Sequence, residues 1–187
     1  MSSSAVSLNL IVKNPDEDFK LVEQAIGGSN EAFKELFMKN VTRVHSLCLR
    51  ISADVQIAED LTQEVFIKAW EKLNTFKFES KFSSWLHSIA VNQFLMHLRS
   101  DKRNTEKVSE LNKEVFQLID SKPPEDFRID LQKAVDKLPG QARTVLVLHD
   151  IEGYKHSEIS EMMGIQTGTS KAHLHKARKI LRKELSK

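Results

Sequence analysis

The stretch Tyr154–Leu185, YKHSEISEMMGIQTGTSKAHLHKARKILRKEL, decides the fold. Its first part predicts a short helix with Ile159 and Met162 or Met163 facing inward, ended by Gly164 where the chain must turn. Ile165 anchors that turn, and Thr167 is placed to cap a longer second helix. There Leu174, Ala177, Leu181 and Leu185 recur at three- and four-residue steps and predict a buried stripe. Lys171, His175, Lys176, Arg178, Lys179 and Arg182 fall on the opposite side. Two helices across a glycine turn, the second apolar on one side and basic on the other, form a helix-turn-helix pattern. Such a helix packs on its own domain and sends its N-terminal turns into the DNA major groove. Lysine and arginine then contact phosphates, and side chains near the groove floor read base edges. The plainer reading is a solvated basic helix; the glycine turn and the short helix before it favour DNA binding.

Charge is distributed unevenly around this module. The 187-residue chain carries a net charge of only +2, so it is not a basic wrap for nucleic acid throughout. From Gln166 to Lys187 there are seven Lys or Arg and one acidic residue, whereas Asp54 to Glu64 holds four acids and no base. Segregated charge of this kind predicts two different partners. Hydrophobic content of 40% with 29% charged residues is that of a soluble globular protein. No apolar run approaches the roughly 20 residues that cross a bilayer, so membrane insertion is not expected. Residues 1–15 lack the positive start of a signal peptide and read as a loose tail. The single cysteine, Cys48, allows no internal disulfide, fits a reducing cytoplasm, and reads as a small core residue.

Upstream of the decisive stretch the period is again helical. Asp16 to Ile26 reads as a short helix stopped by Gly27-Gly28. After Ser29 or Asn30 as cap, Phe33, Leu36, Phe37, Val41, Val44, Leu47, Cys48 and Ile51 predict a long amphipathic helix. Ser52 or Asp54 caps the next helix, with Ile57, Ala58, Leu61, Val65, Ala69 and Leu73 inward. A turn-like segment, Asn74–Lys81, leads into a further helix over 82–99 with Phe82, Leu86, Ile89 and Ala90 on one face. Between Asn104 and Asp126 apolar density falls, Pro123-Pro124 appears, and six acids stand against three lysines, which marks a linker with a marginal helix near 106–119. Phe127, Leu131, Val135 and Leu138 then open a second module, in which Pro139 starts a helix and Gly153 ends it. The expected organisation is a tail (1–15), a helical bundle (16–103), a flexible linker (104–126) and a helix-turn-helix module (127–187). The fold class is all-α, with two helical domains.

Enzyme chemistry finds no seat in these residues. There is no Gly-rich phosphate loop, no Gly-Lys-Ser or Gly-Lys-Thr signature and no His-Glu-x-x-His pair. His173 and His175 are two apart on a helix and point away from each other, and His45 with Cys48 lacks further ligands. Neither a metal nor a cofactor is expected, and the chain is not read as an enzyme. A conventional helix-turn-helix regulator with a dimerising or ligand-binding bundle would explain Tyr154–Leu185 equally well, but not the two upstream blocks at residues 58–70 and 82–92.

The run Ala58-Glu59-Asp60-Leu61-Thr62-Gln63-Glu64-Val65-Phe66-Ile67-Lys68-Ala69-Trp70 resembles region 2.2 of the extracytoplasmic-function (ECF) sigma factors, the smallest group in the sigma-70 family. Phe82-Ser83-Ser84-Trp85-Leu86-His87-Ser88-Ile89-Ala90-Val91-Asn92 resembles their regions 2.3 and 2.4. Leu138-Pro139, Glu158-Ile159 and Gly168 to Arg182 are similar to region 4. The resemblance implies an RNA polymerase sigma factor that binds core polymerase, recognises minus-35 and minus-10 promoter elements, and promotes DNA opening. It implies that Glu59, Asp60, Gln63 and Glu64 dock on the beta-prime clamp helices, with the beta flap as a second contact. It further implies that Phe78, Lys81, Phe82 and Asn92 hold the minus-10 element, with Arg99, Lys102 and Arg103 on phosphates; Phe82 reads equally as a core residue. Lys171, Ala172, His175, Lys176 and Arg178 would face the minus-35 element. Trp70 and Trp85 are expected in the core. Met96 stands where the family often has aspartate, and His173 where arginine is common, which bears on DNA sequence preference. An anti-sigma factor is the expected regulator.

Overall fold

A computed structural model describes residues 17–105 and 134–186, with side chains described at 17–100 and 134–186. The expected N-terminal tail, the marginal helix of the linker, and Phe127 and Leu131 lie outside the described residues. Among the described residues every regular element is helical. The N-terminal module comprises α1 (Phe19–Ile26), α2 (Asn30–Ser52), α3 (Val55–Lys72), a 3-10 turn (Leu73–Thr75) and α4 (Phe82–Thr105). The C-terminal module comprises α5 (Gly140–Leu146), a π turn (Val147–Ile151), α6 (His156–Met163) and α7 (Thr167–Leu185).

Local chemistry sets the boundaries. Ser29 is the cap of α2, its hydroxyl accepting from the Ala32 N–H at 3.3 Å, while Asn30 is already helical. Asp54 caps α3 through Oδ1, which accepts from the Ile57 N–H at 2.9 Å, and the Ser52 hydroxyl braces the Asp54 backbone. Between these helices Ala53 takes the left-handed conformation (φ 55°) with its N–H on Leu49 O, so the chain reverses within two residues. Gly164 does the same for α6 at φ 63°, as its position demands. Thr167 is not a cap but the first residue of α7. The cap is Gln166, in extended conformation without a side-chain bond, so Ser160 rather than a helix amide meets the Thr167 hydroxyl, at 3.4 Å.

Helices α2, α3 and α4 pack around Leu36, Val44, Leu47, Ile51, Ala58, Val65, Phe82, Leu86 and Phe94. Asn40 is buried in this core yet satisfied, donating to Asp18 and to Leu36 O, which ties the start of α1 to α2. The buried run Ala142–Leu148, with Ile159, Met163, Leu174 and Ala177, continues the same apolar cluster into the C-terminal module. The two helical modules therefore pack directly against one another. Leu185, expected in the stripe of α7, is 41% exposed.

Candidate nucleic-acid and protein interfaces

Helix α3 presents Glu59, Asp60, Gln63 and Glu64 to solvent on the side away from its core stripe of Ala58, Leu61, Val65 and Ala69. Along the next turns that exposed side becomes apolar. Ile67 is 56% and Trp70 45% exposed, so Trp70 corrects the expectation of a core residue. Its indole lies edge-on to Phe33 at 4.7 Å, and Phe37 meets Phe66 in the same way at 4.7 Å. The α2–α3 seam thus surfaces as an aromatic patch beside an acidic one. Acidic side chains with an adjoining aromatic surface suit a basic protein partner, the charges setting orientation and the rings supplying buried area.

The loop before α4 is built on rings. Phe76 is buried and touches Phe19, Phe78, Phe82 and Trp85, with centroids 4.9 to 5.9 Å apart. Phe78 sits at φ 58°, a conformation that a bulky residue adopts only under constraint, and packs edge-on to Phe19 at 5.3 Å. It is half-buried, so one edge of the loop carries an aromatic surface between the exposed Lys77 and Lys81. Phe82 differs. It is 0% exposed beneath Phe76 and Trp85, so it offers no face to a base and holds the loop in place instead. Trp85 is half-buried against the core. Asn92 and Arg99 are exposed farther along α4; Arg103 falls on the same helix, with its side chain outside the described residues.

Lys171, Ala172, His175 and Lys176 are all exposed on the first three turns of α7, clear of the buried Ser170, Leu174 and Ala177. Arg178, grouped with them by sequence, is bound within its own module. Its Nε and Nη2 donate to Asp150 at 3.1 and 2.7 Å. Burial works to raise the Asp150 pKa, but the bonds from Arg178 and His149 outweigh it and hold the carboxyl below its ordinary value. This fork braces α7 against the π turn, and the Ser170 hydroxyl bonded to His156 Nδ1 at 2.9 Å braces it against the start of α6. Lys171 and Lys176 are thereby carried on a fixed helix.

Residues 36–104 match the Sigma-70 region 2 family and residues 128–181 the Sigma-70 region 4 family. The ECF RNA polymerase sigma factor SigW of Bacillus subtilis is 33% identical over 181 residues, spanning 89% of this chain and 95% of SigW. The chain belongs to the ECF sigma factors. It is accordingly an RNA polymerase sigma factor, acting in promoter recognition and transcription initiation. The RNA polymerase sigma-H factor of Pseudomonas aeruginosa is 31% identical over 182 residues, spanning 91% of this chain and 94% of that one. In fold the sigma factor is similar to RpoE of Bartonella quintana, solved with the anti-sigma factor NepR, at a TM-score of 0.69 and 24% identity, covering 82% of this chain and 96% of that one. CnrH, solved with the cytosolic domain of CnrY, gives a TM-score of 0.62 at 21% identity, covering 91% and 98%.

One group of residues was not singled out by sequence. The sigma factor inserts Arg143 from α5 against the end of α2, where Nε donates to Ile51 O at 2.8 Å and Nη2 to Ser52 O at 2.7 Å. Glu152 accepts from Arg50 at 3.1 Å, and the Tyr154 hydroxyl shares a hydrogen bond with His87 Nδ1 at 2.9 Å. His87 is buried, and burial pushes its pKa down to about 4, with Arg43 adding to the effect. The signal for Arg143 was its place in the otherwise uncharged run Ala142–Leu148, where a base on a buried face demands a partner. Among the described residues no helix is long and apolar enough to cross a membrane.

Proposed function

We propose that this sigma factor docks on core polymerase through Glu59, Asp60, Gln63 and Glu64, reads the minus-35 element with α7, and captures the opened minus-10 strand beside α4. The observation that carries the reading is the separation of an acidic face on α3 from a basic face on the first turns of α7. On α3 the carboxylates steer the chain onto the basic clamp helices of the beta-prime subunit, and Ile67 and Trp70 extend that contact with apolar area. On α7, Lys171 and Lys176 contact phosphates while Ala172 and His175 approach base edges, and the C-terminal module also meets the beta flap.

At the minus-10 element the chemistry is capture of an unstacked base. The exposed edge of Phe78 supplies a stacking surface, Asn92 hydrogen-bonds a base edge, and Lys81, Arg99 and Arg103 follow the phosphates. Phosphodiester synthesis belongs to the polymerase, so this chain is a specificity factor and not an enzyme, and it works in the cytoplasm without a cofactor. An anti-sigma factor is a further partner, a reading supported by the solved complexes of the structurally similar RpoE and CnrH.

The test is co-elution with bacterial core polymerase followed by run-off transcription on genomic fragments of the host. Discrete start sites sharing two spaced motifs would support the reading. Palindromic duplex binding without polymerase, and no transcription by a folded chain with active core, would favour a conventional dimeric regulator.

A further inference from the structure

Helices α1 and α2 leave a groove of about 400 Å³ on their outer side, and among the described residues its lining comes from positions 21–38 alone. The floor is apolar. Leu21 is half-buried against the core, Ala32 is 4% exposed, and Met38 closes one end. Met38 is 66% exposed, the highest value among the large apolar side chains described. A single exposed apolar residue is ordinary, but this one stands at the mouth of an apolar groove. Glu31 and Glu35 lie on the rim against one base, Lys34, so the groove favours a segment without acids.

The chain itself supplies such a segment. Residues 1–16 precede the first described residue, and within them Val6, Leu8, Leu10 and Val12 fall at every second position. In extended backbone those four share one side. Lys13 is the only charged side chain in the first thirteen residues, and its sign suits Glu35.

The point of entry and the lengths agree with this occupant. Asp18 is buried, with its carboxylate 2.6 Å from Lys39 Nζ and accepting from Asn40 Nδ2 at 3.2 Å. The chain therefore joins the bundle at the Met38 end of the groove, since Lys39 is the next residue of α2. Just before that point stands Asn14-Pro15, a pair that favours a turn. A turn there sends the preceding residues back along the groove. From Met38 to Ser29 the chain spans about 14 Å at the helical rise, and Leu8 to Val12 cover about 13 Å when extended.

We propose that residues 8–12 dock in the groove between α1 and α2, with Leu8, Leu10 and Val12 on its floor and Lys13 against Glu35. The N-terminal segment then covers Met38 instead of trailing free. No residue of α3 or α7 lines the groove, so the dock is independent of the polymerase and promoter assignments.

The test is peroxide oxidation of the full chain, read at each methionine by peptide mass spectrometry. Met96 is the internal reference, being exposed to nearly the same extent as Met38, at 60%. Left open, the two would oxidise alike, since susceptibility follows exposure. The dock predicts that Met38 oxidises roughly threefold more slowly than Met96 in the unmodified chain, and at an equal rate once Leu8→Ser and Leu10→Ser remove the docking side chains. Circular-dichroism melting checks that the double variant stays folded. Equal rates in the unmodified chain would overturn the proposal. So would protection that persists in the double variant, because another group would then cover Met38. Protection that fades as the protein is diluted would assign the cover to a second copy of the chain, and that result too would sink the dock.

Discussion

Replacing Phe82 separates a structural role from a base-stacking one. The ring is 0% exposed and lies 5.7 Å from Phe76 and 5.6 Å from Trp85, centroid to centroid. Truncating a buried phenylalanine to alanine costs about 3–5 kcal/mol, from lost transfer energy and the cavity left behind. Two aromatic contacts are lost with it, so the upper part of that range, about 4–5 kcal/mol, is expected. In a chain of this size each kcal/mol moves Tm by about 2–4 °C, so Phe82→Ala should melt roughly 8–20 °C lower. Phe82→Leu keeps the site apolar and most of its volume, and should cost only about 1–2 kcal/mol. The assay pairs circular-dichroism melting with permanganate reactivity of an opened promoter, at equal folded protein and 25 °C. If the ring only supports the loop, the leucine variant opens DNA as the unmodified chain does. A leucine variant that melts within a few degrees of the unmodified protein yet no longer opens the promoter would refute the reasoning, because only a ring in contact with a base explains that pair of results.

Charge reversal at Asp60, which is exposed on α3, should weaken capture of core polymerase about tenfold at low salt with Tm unchanged, and the deficit should narrow as salt screens it; anisotropy titrations at three salt concentrations check this. Lys176→Ala should weaken closed-complex formation on minus-35-dependent promoters, whereas Asn92→Ala should spare closed binding and impair opening; footprinting before and after strand separation distinguishes them, and equal loss of closed binding in both would contradict the split. His87, with its pKa pushed down to about 4 by burial, makes stability pH-dependent. The unfolded chain binds a proton at its ordinary pKa of about 6.5 and the folded chain does not, so the contribution is complete above that value and declines as pH falls toward 4. Denaturant midpoints of His87→Phe should therefore lose less than the unmodified chain between pH 6.5 and 4, and parallel curves would sink the assignment.

Much of this architecture is written in periodicity. The three- and four-residue steps of α2, α3 and α7 mark the buried stripes because a helix returns to the same face at those intervals, and Gly164 marks its turn because only a left-handed residue closes it there. Period does not tell an inward apolar residue from one at the rim of the stripe. Trp70 and Phe37 are apolar residues of α3 and α2, yet both lie at the rim of the α2–α3 contact, where one edge of each ring meets a partner and the rest is exposed. Phe82 reads two ways in sequence, on the inward face of α4 and at a position that matches a base-contacting site, and in this loop Phe76 and Trp85 close over it. Arg178 reads as one more base on a basic face, and only the fold brings Asp150 beneath it.

The seam between the modules is where local sequence says least, because its contacts join residues some ninety positions apart, as in Arg143 with Ile51 and Ser52. A buried arginine is a poor choice for adhesion alone, since withdrawing its charge from water consumes most of what its bonds return. It is a good choice for an interface that forms in one geometry. Removing it takes the donor from three carbonyls at once, those of Ile51, Ser52 and Asp136. An apolar seam of equal size would resist opening in proportion to its area. Here the two kinds of contact act together: Arg143, Arg50 with Glu152 and His87 with Tyr154 fix the alignment of the modules, while the apolar cluster that runs through both supplies the area that holds them.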